Sequence, residues 1–330
     1  MNGSTDPRLA RLPFASKNLL APMEGVTDPV FREVVQALHE ARDLGGTFTE
    51  FVRVVDAPIP TAKLRRELGR VHPTIPVGLQ LMANRPEPLA GSVENAFEAG
   101  APIVDLNFGC PAKGTLRGCA GGALLDDPPR VEALVAAAVR AAGERPVSAK
   151  IRAGGEDDAL LEDLARAVEN GGAALLTVHC RTRREGYADT ADWQRLERAV
   201  AAVSIPVCGN GGVDRTADLE RVRRETGVAF AMIGRAALAD PWIFSGHAAS
   251  RREAADFLLT YAARMAQAGA DPRQVAGRVK QLLRYWTAAD LVCGRMDEPD
   301  GERRGLLRIE TPTELLERIA EAGRRPLAPA

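Results

Sequence analysis

The sequence predicts an α/β protein: a closed (β/α)8 barrel, the TIM-barrel architecture, followed by a small C-terminal helical domain. Two observations carry that reading. Short apolar runs recur at even spacing, each followed by a stretch of helical character, and after about residue 245 the helical pattern continues alone. The runs are Leu19 to Met23, Thr47 to Val52, Val77 to Met82, Ile103 to Phe108, Val147 to Ile151, Leu175 to His179, Pro206 to Gly209 and Ala229 to Ile233. Helix-like segments lie between them, such as Glu94 to Ala99, Val131 to Ala142, Leu160 to Asn170 and Ala217 to Arg224. Parallel strands joined by crossover helices give this alternation, and eight such units in about 240 residues favour a closed barrel over an open sheet.

From Arg251 to Ala289 the apolar residues keep helical spacing. Thr311-Pro312-Thr313-Glu314 then supplies a capping box with proline at the first helical position, and Gly294 to Gly305 is expected to be a loop. The expected organisation is an N-terminal extension over residues 1–18, a barrel over 19–245 and a helical domain over 246–330. Met1 to Lys17, polar and proline-bearing, is expected to form a mobile tail.

Composition bounds the function. The 330 residues, 45% hydrophobic and 26% charged, can bury a large core. No apolar run approaches the ~20 residues needed to span a bilayer, and the start shows no signal-peptide core, so a cytoplasmic enzyme is expected, with a monomer as the expected state. Cys110, Cys119, Cys180, Cys208 and Cys293 form no CxxC pair and no metal-ligand spacing with the four histidines, so neither a disulfide framework nor a metal site is indicated. The formal charge of −1 excludes a globally basic nucleic-acid binder; any RNA contact must use a local stripe. Only Lys17, Lys63, Lys113, Lys150 and Lys280 are lysines in an arginine-biased chain, which makes a lysine at a strand end suggestive.

In a barrel of this type functional groups gather at the C-terminal strand ends. Those ends carry Pro22-Met23-Glu24-Gly25, Glu50, Gln80, Asn107 with Cys110, Lys150 with Arg152, His179 with Arg181, Asn210-Gly211-Gly212 and Gly234-Arg235. A ring of amides, cations, a histidine and a thiol describes a ligand site. Within it Val104-Asp105-Leu106-Asn107-Phe108-Gly109-Cys110-Pro111 runs an apolar strand into a turn that presents one cysteine, a placement suited to chemistry more than to packing. Glycines at the last two strand ends expose backbone N–H groups, and a helix start adds partial positive charge, which suits a phosphate monoester. Neither a GxGxxG nor a P-loop pattern occurs. A phosphate held there, with Lys150 reaching the middle of the barrel mouth, fits flavin mononucleotide, whose reduced anionic ring a cation would stabilise.

Leu20-Ala21-Pro22-Met23-Glu24-Gly25-Val26-Thr27-Asp28, the Asp105 to Pro111 segment, Lys150-Ile151-Arg152, Val178-His179-Cys180-Arg181-Thr182 and Gly209-Asn210-Gly211-Gly212 together resemble the tRNA-dihydrouridine synthases, from about Leu19 to Trp242. The resemblance implies an FMN-bound barrel that reduces the C5–C6 double bond of uridines in the tRNA D-loop, with NADPH as electron donor. It also implies roles. Pro22, Met23, Glu24, Gln80, Lys150 and His179 would contact the flavin, while Asn210, Gly211, Gly212, Gly234 and Arg235 would hold its phosphate. Asn107 and Arg152 would meet the substrate uridine, and Cys110 would protonate C5 as hydride reaches C6.

Thr49 to Asp56, Arg183 to Tyr187 and Arg278 to Tyr285 are similar to the bacterial subgroup that modifies uridine 16. That likeness makes Arg53, Tyr187, Arg278, Lys280, Tyr285 and Arg308 the tRNA-orienting set. Residues 273 to 295 carry five basic side chains against the single Asp290, a stripe suited to phosphates. Cys119 departs from the family pattern and is expected to bring a second thiol near Cys110. Two alternatives stay open: an FMN barrel oxidoreductase acting on a small enone or pyrimidine, and a tRNA-binding folding factor without turnover.

Overall fold

A computed structural model describes residues 6–112, 114, 116, 119–187, 191–292 and 301–325. The chain packs as two compact units, one built from the residues up to Pro29 together with Ala41–Gly234, the other from Val30–Glu40 together with Arg235 onward.

The first unit is a barrel of parallel strands: β1 Asn18–Leu20, β2 Gly46–Phe48, β3 Val52–Arg53, β4 Val77–Met82, β5 Val104–Asn107, β6 Val147–Arg152, β7 Leu175–His179, β8 Val207–Asn210 and β9 Phe230–Ile233. β1 pairs with β9, and β2 pairs with both β1 and β4, which closes the ring. Each of the eight apolar runs therefore supplies a barrel strand. The run Thr47 to Val52 is split, because Thr49 Oγ1 accepts the Gln80 backbone N–H at 3.0 Å where a ladder carbonyl would otherwise stand, and the short β3 then pairs with β4. Helices fill the crossovers by recognisable local rules. Asp127 caps the N-terminus of Pro128–Ala142 by accepting from Arg130 N at 3.2 Å, and Pro128 starts that helix, where a missing N–H costs nothing. Gly227, at φ 75°, ends Thr216–Thr226 in the left-handed cap that glycine favours.

The barrel interior is packed by Leu19, Phe48, Ile103, Leu175, Cys208, Phe230 and Met232. The expected mobile tail is corrected here for its described part. Leu9, Leu12 and Phe14 join that core, with the Phe14 ring 5.8 Å from Phe48 and 5.5 Å from Phe230, and Ala15 N donates to Gly45 O at 3.0 Å. Three apolar side chains spaced through a polar stretch give no periodicity, yet a barrel end offers them about 25 cal/mol per Å² of apolar burial.

The second unit is helical. Val30 onward in the helix Pro29–Gln36 belongs to it, because Phe31 packs edge-on against Phe257 and Tyr261. Ser250 and Glu253 form a capping box on Arg251–Gln267, and Asp271 caps Pro272–Leu283 by accepting from Arg273 N and Gln274 N at 2.8 and 2.9 Å. Two local expectations are corrected. Thr311 makes no side-chain cap bond on Pro312–Arg324, although proline does open that helix. The expected loop over 294–305 gives way to a helix at Glu302–Arg308, while 293–300 lie outside the described residues. Buried Arg303 anchors this helix by donating to the carbonyls of Leu283, Trp286 and Val292 at 2.6, 2.6 and 3.3 Å, satisfying acceptors at the end of Pro272–Leu283. Among the described residues no helix is long and apolar enough to cross a membrane.

Candidate active site

Residues in register on adjacent parallel strands point to the same side of a sheet. Three such rows cross the barrel: Gln80, Asp105, Ser148 and Leu175; Asn107, Lys150, Thr177 and Cys208; Arg152, His179, Asn210 and Met232. Leu175, Cys208 and Met232 belong to the interior core, so the rows face inward. The polar strand ends that the sequence singled out are thus stacked at one mouth of the barrel.

The polar members of the deepest row are hydrogen-bonded to one another. Asp105 accepts from Gln80 Nε2 at 2.6 Å and from Ser148 Oγ at 2.7 Å, and Gln80 Oε1 accepts from Asn107 Nδ2 at 2.8 Å. Burial pushes the Asp105 carboxyl up to about 6, against the lowering pull of those bonds and of Lys150. The same desolvation, with the neighbouring Arg152 charge, brings Lys150 down to about 8, so its ammonium persists at neutral pH but sits near its titration. Cys208 and Cys180 are pushed the other way, to about 12 and about 11, by burial; they are inert structural thiols.

Cys110 lies in the turn after β5 and every side of its backbone is held. Asn107 Oδ1 accepts both Gly109 N–H and Cys110 N–H at 3.0 Å, Gly122 N–H donates to Cys110 O at 3.0 Å, and Arg152 Nε donates to Gly109 O at 2.8 Å. Its side chain packs among Met82, Ala120 and Phe51. Cys119, by contrast, is exposed with a left-handed backbone at φ 48°.

Arg152 is the junction of the mouth. Besides Gly109 O, it donates to Gly186 O at 2.9 Å, Thr182 O at 3.2 Å and His179 Nδ1 at 3.2 Å, and its guanidinium lies 5.3 Å from the Tyr187 ring centroid. A guanidinium only donates, so His179 Nδ1 is an acceptor and a neutral ring carries its proton on Nε2. The loop that holds Tyr187 is fixed from the other side by Glu185, which accepts from Thr182 N at 2.8 Å and pairs with Arg195 at 2.7 and 3.0 Å.

After β8 the chain turns through Gly211 and Gly212 at φ 103° and 69°. A Cβ on Gly211 would lie 2.9 Å from Cys180 Sγ, and one on Gly212 would lie 2.6 Å from Ala191 Cβ, so only glycine fits either place. Trp193 Nε1 fixes the turn by donating to Gly211 O at 3.0 Å, and Asn210 Nδ2 ties β8 to β9 through Met232 O at 2.8 Å. Gly234 faces the turn after β1: a Cβ there would lie 3.5 Å from Met23 Sδ. That turn is closed by Thr27 Oγ1, which accepts from Met23 N at 2.9 Å, and by Glu50, which accepts from Gly25 N at 3.0 Å.

A model of the family "Dihydrouridine synthase (Dus)" matches residues 19–280. The chain belongs to the dihydrouridine synthase family. A tRNA-dihydrouridine(16) synthase of Cupriavidus necator is 41% identical over 69% of this chain and 72% of its own length. One of the same name from Pseudomonas putida is 36% identical over 81% and 87%. A tRNA-dihydrouridine synthase B of Xanthomonas campestris is 36% identical over 70% and 68%.

For this dihydrouridine synthase the structure gathers Pro22, Met23, Gln80, Asn107, Cys110, Lys150, Arg152, His179, Asn210, Gly211, Gly212 and Gly234 on the strand ends and turns of the barrel unit. Glu24, Arg53 and Tyr187 belong to the same unit, with Arg53 and Tyr187 exposed. Arg235, Arg278, Lys280, Tyr285 and Arg308 belong to the helical unit. There a groove of about 560 Å³ is lined by Met265, Gln274, Gly277, Arg278, Gln281 and Arg284, giving part of the basic stripe a concave face; Cys293 and Arg295 lie outside the described residues. Sequence reasoning gave no role to Asp105 or Ser148. A carboxylate inside the apolar run Ile103 to Phe108 was the available signal, since an ionisable group in such a strand needs partners.

Proposed function

We propose that this enzyme reduces the C5–C6 double bond of uridine 16 in the tRNA D-loop, with FMN as its bound flavin and NADPH as reductant, in the cytoplasm. The observation that carries the reading is the Cys110 turn, fixed at a barrel mouth that also presents Lys150, His179 and two glycines at positive φ. FMN suits these residues. The Gly211-Gly212 turn is a cradle that any Cβ would fill, its backbone N–H groups match a phosphate, and the part-buried Lys150 ammonium matches an electron-rich ring edge.

When bound, the flavin supplies the hydride that adds to uracil C6. The chain does the rest. Asn107 offers an N–H to a pyrimidine carbonyl, which draws electron density from the ring as C6 is attacked. Cys110 gives its thiol proton to C5 from the opposite face; the π bond is consumed, two C–H bonds form, and solvent returns the proton to sulfur. The Arg152 guanidinium lies within electrostatic reach of Cys110 and stabilises the thiolate left behind. His179 Nε2–H is a fixed donor because Arg152 occupies Nδ1.

The target base must leave its stack to reach the mouth. Tyr187, 59% exposed and backed by Arg152, suits stacking there. Arg53 on the barrel and Arg278, Lys280, Tyr285 and Arg308 on the helical unit suit phosphate and base contacts with RNA held by its shape.

A position-resolved map of dihydrouridine in tRNA from a strain lacking the gene, its parent and the restored strain tests this. Restorable loss at position 16 is expected. Loss at another D-loop position would overturn the assignment of the base, and no loss would overturn tRNA as the substrate.

A further inference from the structure

The polar chain that runs from the barrel interior to the Cys110 turn has a fixed direction. At one end the ionised Asp105 carboxylate can only accept, and it takes hydrogen bonds from Gln80 Nε2 and Ser148 Oγ at 2.6 and 2.7 Å. At the other end the Gly109 and Cys110 backbone N–H groups can only donate, both to Asn107 Oδ1 at 3.0 Å. Two carboxamides, those of Gln80 and Asn107, join the ends through a 2.8 Å bond. With an acceptor at the base and donors at the top, each amide has one orientation that satisfies both neighbours: nitrogen toward Asp105, oxygen toward Cys110. Turning Gln80 over would set its oxygen against the carboxylate, and turning Asn107 over would set its NH2 against two N–H groups.

We propose that Asp105 is a positioning residue that anchors the base of this amide relay, so that Asn107 presents an N–H to the pyrimidine and its carbonyl holds the Cys110 turn. Asp105 is 2% exposed and makes its hydrogen bonds inside the barrel, so it acts through Gln80 and Asn107. The second Asn107 Nδ2–H makes no hydrogen bond within the described residues, which leaves a donor for a carbonyl oxygen. The inference rests on the proposed uridine reduction for what meets that donor; the polarity itself rests on the hydrogen bonds alone.

Asp105→Leu and Asp105→Asn separate anchoring from other roles. Leucine removes the lower anchor: Gln80 Nε2 loses its acceptor and the relay is held from the Cys110 end alone. Asparagine keeps an acceptor for Gln80 Nε2 while its own NH2 turns to Ser148 Oγ, which can accept, so the relay keeps its direction without the charge. With FMN-loaded protein, Asp105→Leu is expected to slow reoxidation of the reduced flavin by tRNA about 10²–10³-fold, the scale of one lost transition-state hydrogen bond. Its reduction by NADPH should change less than about 3-fold, and Asp105→Asn should restore the tRNA step to within about the same factor. In the protein without flavin, iodoacetamide should alkylate Cys110 several-fold faster in Asp105→Leu than in Asp105→Asn. Where the leucine variant does not fold, Asp105→Ala takes its place in both measurements. Equal slowing of both half-reactions, failure of Asp105→Asn to restore the tRNA step, or unchanged alkylation would overturn the proposal. Wild-type protein that tRNA does not reoxidise would instead overturn uridine reduction, with the alkylation result still reporting on the relay.

Discussion

Arg152→Met tests how much of the mouth depends on one side chain. Arg152 is 4% exposed and donates to three carbonyls, Gly109 O, Gly186 O and Thr182 O, at 2.8, 2.9 and 3.2 Å. Methionine fills much of the stem volume and supplies no donor. Leaving one buried and two part-buried carbonyls without a partner costs about 1–3 kcal/mol for the first and less for each of the others, and removing a desolvated guanidinium returns part of that, so a net loss of about 3 kcal/mol follows. At about 2–4 °C per kcal/mol for a unit of this size, the barrel should unfold about 6–12 °C lower by scanning calorimetry. Arg152→Lys should recover only part of the loss, because an ammonium cannot span acceptors arranged for a planar fork. In the same preparation uridine reduction should fall further than NADPH oxidation in the presence of a small electron acceptor, since the Cys110 turn loses its Gly109 anchor. A transition within about 2 °C of the parent would refute the view that Arg152 holds these loops together.

Four further outcomes are expected. Cys110→Ala should keep its flavin and its reduction by NADPH yet lose about 10²–10⁴-fold in uridine reduction, while Cys119→Ser retains it; rapid-mixing absorbance and a tRNA assay decide. Gly211→Ala forces a Cβ to within 2.9 Å of Cys180 Sγ at φ 103°, so copurified flavin per protein should drop and stability should fall by about 1–3 kcal/mol. Asp105 holds its proton up to about 6 when folded against an ordinary 3.8. Wild-type stability is therefore fullest below pH 3.8 for this group and declines as pH rises to 6. The unfolding free energy of Asp105→Asn should accordingly gain on that of wild type between pH 4 and pH 7, by up to about 3 kcal/mol in denaturant titrations, and a constant difference would exclude that linkage. Lys280→Ala should weaken tRNA binding and reduce the salt slope of log K by about one; an untouched slope removes Lys280 from the RNA surface.

The eight-strand barrel, the ring of strand-end residues and the Cys110 turn were legible in the sequence because their signals are local. An apolar run with its following helix is set by neighbours in the chain, and period two places alternate residues on one face. Glycines flanking the phosphate-type turns announce backbone that no other residue adopts. Partnerships across strands were not legible. Nothing in the spacing of residues 80, 105 and 148 says that they share a row; the register of two strand pairs, β4 with β5 and β5 with β6, decides it. The resemblance assigns Arg152 to the substrate; what it does not reveal is the set of hydrogen bonds Arg152 makes to the loops around it, which approach only when the barrel closes. The fate of Phe14 and Phe31 was equally hidden, since a lone aromatic in a polar segment becomes core only where folding brings a complementary surface. By itself, then, the sequence determined which chemical groups stand at the strand ends, through local periodicity and turn chemistry. Only the tertiary structure decided how those groups hydrogen-bond to one another, because register and loop approach are properties of the closed barrel.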